Sequence, residues 1–358
     1  MSFQMGFFLV FIGVTIISYI GIDQWCIFAR KKGFFDTPNA RKMHSQPIVT
    51  MGGVVIFLVY WLSILFITLA FDLVVREQIP LFIASTIIFI TGVLDDLYDI
   101  SPKQKSVGII LGASVVYWTT DFKIYSVFEQ LFGVNMMSEL IGYIVTLVWI
   151  YYITNAFNLI DGLDGLSTGV SIIALSAISF ISYFFSPVSV FILTTMVLLL
   201  VATLLGFLPH NFHPARVFIG DTGILFIGFM VSVFALMGMQ KPGIVAIITP
   251  IIILGVPLTD ATFAIFRRLL KGESITKADR SHIHHRLMLR GVPHARAVVS
   301  IYGVALVFAS VALAISLADN PVDIYVTLAL TIIGEFIFVD YLNLLDLKEP
   351  LLFKRKNH

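Results

Sequence analysis

The 358-residue chain has few charged residues. Asp, Glu, Lys and Arg make up 13% of it and hydrophobic residues 58%, whereas about 25% of a soluble domain is usually charged. So low a charged fraction excludes an ordinary soluble protein, and so high an apolar fraction excludes an intrinsically disordered one. The composition therefore predicts that lipid surrounds most of the chain.

Cysteine is also scarce. Cys26 is the single cysteine, which excludes a disulfide framework and a cysteine-rich metal site. The formal net charge is +1, which says little by itself because the sidedness of charge matters more in a membrane protein. We expect no nucleic-acid partner. Since the chain has no repeat and no low-complexity segment, we predict one transmembrane domain over 1–358, with a polar substrate loop at 267–297.

The apolar runs predict an all-α, polytopic membrane bundle of ten or eleven transmembrane helices. Two runs, 79–94 and 107–120, are short, so the count is uncertain by one. The eleven predicted spans are 6–28, 50–71, 79–94, 107–120, 138–157, 165–185, 187–207, 222–239, 243–266, 298–317 and 324–342.

The basic residues predict the orientation of this bundle. The first span is followed, not preceded, by a basic cluster at 30–32, so we interpret it as an uncleaved anchor with the N-terminus outside. All of the 23 Lys and Arg residues except Arg76, Lys123 and Lys241 then lie in cytoplasmic loops or at their edges. This is a strong positive-inside bias, and it places the C-terminus and the chemistry on the cytoplasmic side.

Five cytoplasmic segments carry unusual polar residues, and the first two lie in the N-terminal third. The segment from Phe34 to Gly53 is either a fixed turn at a site or a positive-inside anchor. The second holds Asp95 and Asp96 at the end of an apolar run, followed by Lys105. Adjacent carboxylates near lipid suit a site where Mg²⁺ and phosphate meet, although a solvated helix end is the alternative.

The third segment has carboxylates and amides every three residues. Asn155, Asn158, Asp161 and Asp164 would form a slowly drifting stripe on a helical path. The spacing does not fit the twelve-residue calcium loop. The glycines beside the acids leave open a tight turn between two spans.

The fourth segment contains Asp221 directly before an apolar run. This position suits a helix N-cap, and it also suits a hard oxygen ligand for a metal, with helix N–H groups nearby to favour phosphate. The two interpretations are compatible.

The fifth segment holds His282, His284, His285 and Arg286. A zinc site is disfavoured because no Glu-containing helix motif and no cysteine accompany these histidines. Imidazoles next to arginine suit hydrogen bonds to sugar hydroxyls and pyrophosphate oxygens. A patch that binds lipid headgroups is the alternative.

Taken together and in order, these motifs resemble those of the polyprenyl-phosphate N-acetylhexosamine-1-phosphate transferases, and the resemblance extends from Asp36 to Arg296. Ile283 interrupts the three consecutive histidines typical of the branch that transfers phospho-MurNAc-pentapeptide. The chain is more similar to the bacterial branch that starts wall teichoic acid, O-antigen or capsule-type polymers, and we expect a Gram-positive, teichoic-acid-type member. The motifs are GVLDD at 92–96, NAFNLIDGLDG at 155–165, FIGDTG at 218–223 and HIHHR at 282–286.

The resemblance implies transfer of GlcNAc-1-phosphate from UDP-GlcNAc to undecaprenyl phosphate, with release of UMP, at the cytoplasmic face of a bacterial cytoplasmic membrane. It also implies Mg²⁺, or Mn²⁺, and allows a homodimer. The resemblance also implies roles for individual residues. Asp221 and Asn158 would bind the metal, Asp95 would lie beside the attacking lipid phosphate with Asp96 next to it, and Lys105 would bind phosphate. Asp164 would lie near the uracil, Asp161 would lie in the substrate site without a defined role, and the residues near the sugar and diphosphate would be His282, His284, His285 and Arg286.

Several alternatives remain at this point. The same chemistry could use UDP-GalNAc or UDP-MurNAc-pentapeptide. A polytopic transporter or flippase would share the hydropathy. It would be expected to show repeats and ionisable residues near mid-membrane, whereas this sequence has no repeats and few charged residues within its spans. An intramembrane prenyltransferase would need a second Asp-Asp-x-x-Asp motif, and a CDP-alcohol phosphotransferase a different continuation after Asp164. Direct attack by the lipid phosphate is favoured over a covalent intermediate, because a phosphate monoester with a second pKa of about 6 is already mostly dianionic at neutral pH.

Overall fold

A computed structural model shows an all-α protein, as predicted. Thirteen helices are present in the part of the chain that the structure describes. The described residues are 3–36, 47–71, 77–120, 124, 139–185, 190–237, 244–274, 279, 281–318 and 320–346. The helices are α1 (Phe3–Lys32), α2 (Gly53–Phe71), α3 (Gln78–Tyr98), α4 (Pro102–Thr119), α5 (Glu139–Ile160), α6 (Leu166–Phe185), α7 (Val190–Asn211), α8 (Gly220–Met237), α9 (Ile244–Ile253), α10 (Gly255–Leu270), α11 (Ile283–Leu289), α12 (His294–Leu317) and α13 (Pro321–Leu342).

Each predicted span falls on a helix or on a pair of helices. Eight helices in the described ranges are long and apolar enough to cross a membrane, and α9 with α10, bent by 84°, form a ninth if they are one span. The other two predicted spans fall on α4, which has Lys103 and Lys105 at its start, and on α8, whose apolar stretch Gly220–Leu236 is shorter than those of the eight. A multi-pass membrane protein is therefore confirmed, whereas the count of eleven and the orientation stay predictions.

Helix α8 lies at the centre of the bundle. All of its residues from Thr222 to Leu236 are buried, and α2, α3, α5 and α6 pack around it. A helix that is apolar on every side is stable when it is enclosed by others. Its short length therefore fits a helix held by protein rather than by lipid.

Helix α5 runs antiparallel to α8. The Trp149 indole N–H donates to the Ser232 carbonyl at 3.0 Å, and Thr154 lies against Gly228 one turn further along. Because the two chains run in opposite directions at the same rise per residue, the end of α5 arrives level with the start of α8. The packing thus brings the Asn158–Asp164 region towards Asp221.

The connection between α1 and α2 is tied to the same region. Strand β1 (Phe35–Asp36) pairs antiparallel with β2 (Ile48–Val49), and the Val49 carbonyl accepts the Phe218 N–H at 2.7 Å. The rest of the first polar motif, residues 37–46, lies outside the described residues, so its predicted role is not assigned.

The polar loop predicted at 267–297 contains ordered helix. Helix α10 continues to Leu270, α11 occupies the middle of the loop, and α12 begins at His294. Helix α13 is peripheral: in its candidate span only 6% of residues are buried, and large apolar side chains such as Leu330 are exposed. Such a surface is compatible with lipid contact.

The close approach of α3 to the start of α8 depends on Gly92. A Cβ atom there would lie 2.5 Å from both the Asp221 carbonyl oxygen and the Thr222 Cα. We expect Gly92→Ala to push the helices apart and to lower the free energy of unfolding by about 1–3 kcal/mol. Thermal unfolding of the detergent-solubilised protein measures this. The control is Gly303→Ala in α12, where nothing lies within 4 Å; equal unfolding midpoints for the two variants would contradict the explanation.

Candidate active site

An ammonium group between two carboxylates forms the first part of the site. Lys105 Nζ lies 2.6 Å from Asp95 Oδ2 and 2.8 Å from Asp221 Oδ1. Asp95 is near the end of α3, Lys105 in the first turn of α4 and Asp221 in the first turn of α8. Because the lysine is shared, it offsets the repulsion that the two carboxylates would otherwise exert on each other. We call these three residues and Asp96 the acidic centre.

Asp96 binds the N-terminus of α8. Its Oδ1 accepts the Asp221 N–H at 2.9 Å, and its Oδ2 accepts the Thr222 N–H at 2.9 Å and the Thr222 hydroxyl at 2.6 Å. Helix N-termini leave N–H groups without intrahelical partners, and a carboxylate there is favoured by the helix dipole. The interpretation of Asp221 as the N-cap is therefore wrong: Asp221 lies inside the first turn, and Asp96 supplies the cap from another helix.

The prediction of a helical stripe is correct for two of its four residues. Helix α5 contains Asn155 and Asn158 but ends at Ile160, so Asp161 and Asp164 lie in the connection to α6. The helix does not continue because glycines follow, and Gly165 adopts a φ of +79°, which favours glycine. The alternative that the sequence left open, a tight turn, is the observed one.

The two amides of α5 differ in their availability. The Asn155 side chain donates to the Tyr151 carbonyl of its own helix at 2.7 Å. The Asn158 carboxamide makes no hydrogen bond within the described ranges, and it lies on the half-buried side of α5 that faces the start of α8. Its oxygen is therefore available as a ligand.

Asp161 lies among other acids. The Ser167 hydroxyl donates to its carboxylate. Burial raises the pKa of Asp161 to about 7. The negative charges of Asp221, Asp96 and Asp164 act in the same direction, so Asp161 is within electrostatic reach of the acidic centre. A carboxyl with this pKa is partly protonated at neutral pH.

Asp164 meets two histidines from other elements. Its Oδ2 accepts the Ala215 N–H at 3.1 Å and lies 2.8 Å from His213 Nδ1. Its backbone N–H donates to His294 Nε2 at 3.0 Å, and the two imidazoles stack at 4.1 Å. Asp164, the predicted uracil contact, thus lies in a half-buried cluster formed by the α5–α6 connection, the α7–α8 loop and the start of α12.

The His–Arg cluster forms the other side of the site. We use this name for His282, His284, His285 and Arg286. His284 lies against Gly162, where a Cβ atom would be 2.3 Å from its Nε2. Burial lowers the pKa of His284 to about 3, so this imidazole is neutral at neutral pH. The contact joins the His–Arg cluster to the loop that carries Asp161 and Asp164.

Buried Asp260 orients His282. Its Oδ2 lies 2.8 Å from His282 Nδ1 and its Oδ1 accepts the Ile283 N–H at 2.7 Å, while Asp260 is only 1% exposed. A carboxylate that accepts from Nδ1 fixes the ring orientation and leaves Nε2 for a ligand. The sequence contained a signal for this residue, since a charge within an apolar span usually has a specific partner.

The structure therefore brings the acidic centre, the loop with Asp161 and Asp164, and the His–Arg cluster to one end of the bundle. Sequence reasoning missed the partners of these residues. His213 and His294 carry no local pattern that connects them to Asp164, and nothing near Asp260 in the sequence indicates that its partner is His282. The remaining missed residue, Asp346, contacts Arg286.

Residues 79–239 match the family model described as glycosyl transferase family 4. A probable undecaprenyl-phosphate N-acetylglucosaminyl 1-phosphate transferase of Bacillus subtilis is 36% identical over 86% of this chain and 85% of its own length. The undecaprenyl-phosphate alpha-N-acetylglucosaminyl 1-phosphate transferase of Escherichia coli K12 is 32% identical over 87% and 84%, respectively. A protein of the same name from Yersinia pestis is 31% identical over 76% and 74%. The matched family region contains the acidic centre and Asp164.

A measurement of unfolding without substrate tests whether Asp96 stabilises the fold as a helix cap or acts only in the chemistry. In Asp96→Asn the amide group would point a donor at donors of α8, so we expect a loss of about 1–3 kcal/mol in the free energy of unfolding. Asp99→Asn is the matched control, because Asp99 is exposed and its left-handed backbone suits asparagine. An unchanged unfolding midpoint for Asp96→Asn would contradict the capping role.

Proposed function

The chain belongs to glycosyl transferase family 4, and from that premise we propose that it transfers GlcNAc-1-phosphate from UDP-GlcNAc to undecaprenyl phosphate and releases UMP. The observation that carries the proposal is the acidic centre, in which Lys105 joins Asp95 to Asp221. A lysine and two carboxylates that meet at the ends of three helices suit phosphoryl transfer. The enzyme is a multi-pass membrane transferase.

The acceptor phosphate binds beside Asp95 and Lys105. Lys105 supplies a positive charge to its oxygens. A phosphate monoester with a second pKa of about 6 is mostly dianionic at neutral pH, so Asp95 mainly orients the nucleophile. One lipid phosphate oxygen forms a bond to the β-phosphorus of UDP-GlcNAc, and the bond from that phosphorus to the bridging oxygen breaks. UMP leaves with the bond's electron pair, and this direct route needs no covalent enzyme intermediate.

Mg²⁺, or Mn²⁺ in its place, fits the oxygen donors at the start of α8. Asp221 has a side chain that is 31% exposed, and Asn158 has an amide oxygen without a hydrogen bond in the described part. Both are hard ligands of the type that these cations take. When bound, the cation would neutralise charge on the diphosphate. Asp96 keeps the ligand Asp221 in place through the backbone of α8.

The donor lies between the Asp164 cluster and the His–Arg cluster. His213 and the Ala215 N–H occupy Oδ2 of Asp164, so we assign its other oxygen to the uracil N–H. The neutral His284 and the Asp260-bound His282 suit hydrogen bonds to sugar hydroxyls. Arg286 is assigned to the diphosphate.

We place the reaction on the cytoplasmic face of a bacterial cytoplasmic membrane, because nucleotide sugars are water-soluble and the predicted inner loops hold most of the basic residues. The product would start a cell-surface polymer of the wall teichoic acid, O-antigen or capsule type. A homodimer remains a prediction.

Removal of a carboxylate from the acidic centre should abolish turnover. We expect Asp221→Ala, which loses the metal ligand and a partner of Lys105, and Asp95→Asn, which loses the other partner, each to reduce kcat by at least about 10²-fold. UMP release and the lipid-linked product are measured with purified protein at matched expression. Asp99→Asn serves as the neighbouring-acid control, and full activity of either active-site variant would overturn its assigned role.

The identity of the sugar is tested in a parallel assay. Labelled UDP-GlcNAc, UDP-GalNAc and UDP-MurNAc-pentapeptide are each incubated with undecaprenyl phosphate and Mg²⁺. We expect lipid-linked product and UMP from UDP-GlcNAc at a kcat/KM at least about tenfold above the others, since one lost polar contact in a specific site is worth that factor. Product from another sugar alone would replace the proposed donor, and no UMP from any of them would favour a transporter.

A further inference from the structure

The segment that follows α13, residues 343–346, contacts the His–Arg cluster. Asp346 Oδ1 accepts a hydrogen bond from Arg286 Nη2 at 2.9 Å. Asp346 Oδ2 accepts from Lys271 Nζ at 2.6 Å. These hydrogen bonds from Lys271 and Arg286 lower the pKa of Asp346 to about 2. The carboxylate is therefore charged throughout the neutral range, and both of its oxygens are occupied by cations.

The position of this segment is fixed independently of Asp346. Leu344 is fully buried, and its carbonyl accepts from Arg267 Nη1 at 2.6 Å. The Arg267 side chain is 2% exposed, and its Nε donates to Asp279 at 3.0 Å. A buried guanidinium that lost these partners would pay a large desolvation cost. The backbone at 343–346 is thus held by the end of α10.

Arg286 has donors left over. Its side chain is 9% exposed, its ion pair within the described residues is with Asp346, and its Nε is buried without a hydrogen-bond partner there. An unsatisfied buried donor is costly, so a ligand acceptor is expected beside it. A guanidinium offers five N–H donors in a rigid plane. One carboxylate can therefore hold part of the group while the remaining donors bind an anion.

We propose that Asp346 is a positioning residue of the transfer reaction, which holds Arg286 so that its free donors face the diphosphate of the nucleotide sugar. This inference rests on the proposed function. Arginine side chains lose rotamer entropy when they are fixed. Because Asp346 orders the guanidinium before the donor arrives, less of that entropy is lost on binding. Asp346 lies outside every motif that the sequence singled out and outside the matched family region.

The test compares Asp346→Asn with Lys271→Ala. The first removes the charge that holds Arg286, whereas the second removes the other partner of Asp346 and leaves the Arg286 contact in place. We expect Asp346→Asn to raise the KM for UDP-GlcNAc about tenfold, a typical coupling for residues in contact, with the KM for undecaprenyl phosphate unchanged. Lys271→Ala should stay within about twofold of wild type. Asp346→Glu should recover part of the loss.

A double-mutant cycle separates positioning from general destabilisation. In an Arg286→Gln background, Asp346→Asn should cause no further rise in the KM for UDP-GlcNAc, because the residue acts through Arg286. An additional loss in that background, an unchanged KM for UDP-GlcNAc in the single variant, or an equal effect of Lys271→Ala would each overturn the proposal. The wild-type protein separates failure of the proposed function from failure of this inference. If the wild type releases no UMP, the proposed function is wrong. If the wild type releases UMP, the variants test only the role of Asp346.

Discussion

The ion pairs of Lys105 with Asp95 and Asp221 are the interaction on which the rest of the site depends. Two carboxylates that approach closely in a partly buried place repel each other unless a cation lies between them or one of them takes up a proton. Helix α4 supplies that cation, because Lys105 lies in its first turn. The meeting of three helix ends thus determines which side chains form the acidic centre, and the packing of the apolar helices holds those ends together.

The central position of α8 follows from the same requirement. Its N-terminus must receive the Asp96 carboxylate and lie against Gly92, so it is surrounded by helices rather than by lipid. Its backbone N–H groups are satisfied by a side chain from α3, which couples the two helices more firmly than apolar packing alone. Asp221, whose backbone N–H donates to Asp96, is thereby fixed with its carboxylate towards Lys105.

Much of the fold could be predicted from the sequence because hydrophobic run length is a local property. The candidate residues were also found locally, since Asp95, Asp161 and Asp221 each stand out against apolar neighbours. Two kinds of prediction failed. The helical stripe does not continue beyond Ile160, because a three-residue period does not reveal where a helix ends. Contacts between residues distant in sequence could not be predicted either. Asp346 could not be connected to the His–Arg cluster because the two are separated by two complete helices.

The balance of charge connects these parts to the proposed chemistry. The acidic centre has three carboxylates against a single ammonium group, and the dipole of α8 compensates only part of the excess. An anionic diphosphate that enters this region meets net repulsion unless a divalent cation enters with it. On the other side, Arg286 is already paired with Asp346, so it contributes directed donors more than net positive charge. This arrangement supports the proposed dependence on Mg²⁺ or Mn²⁺, because the side chains alone do not neutralise the two phosphorylated substrates that must meet there.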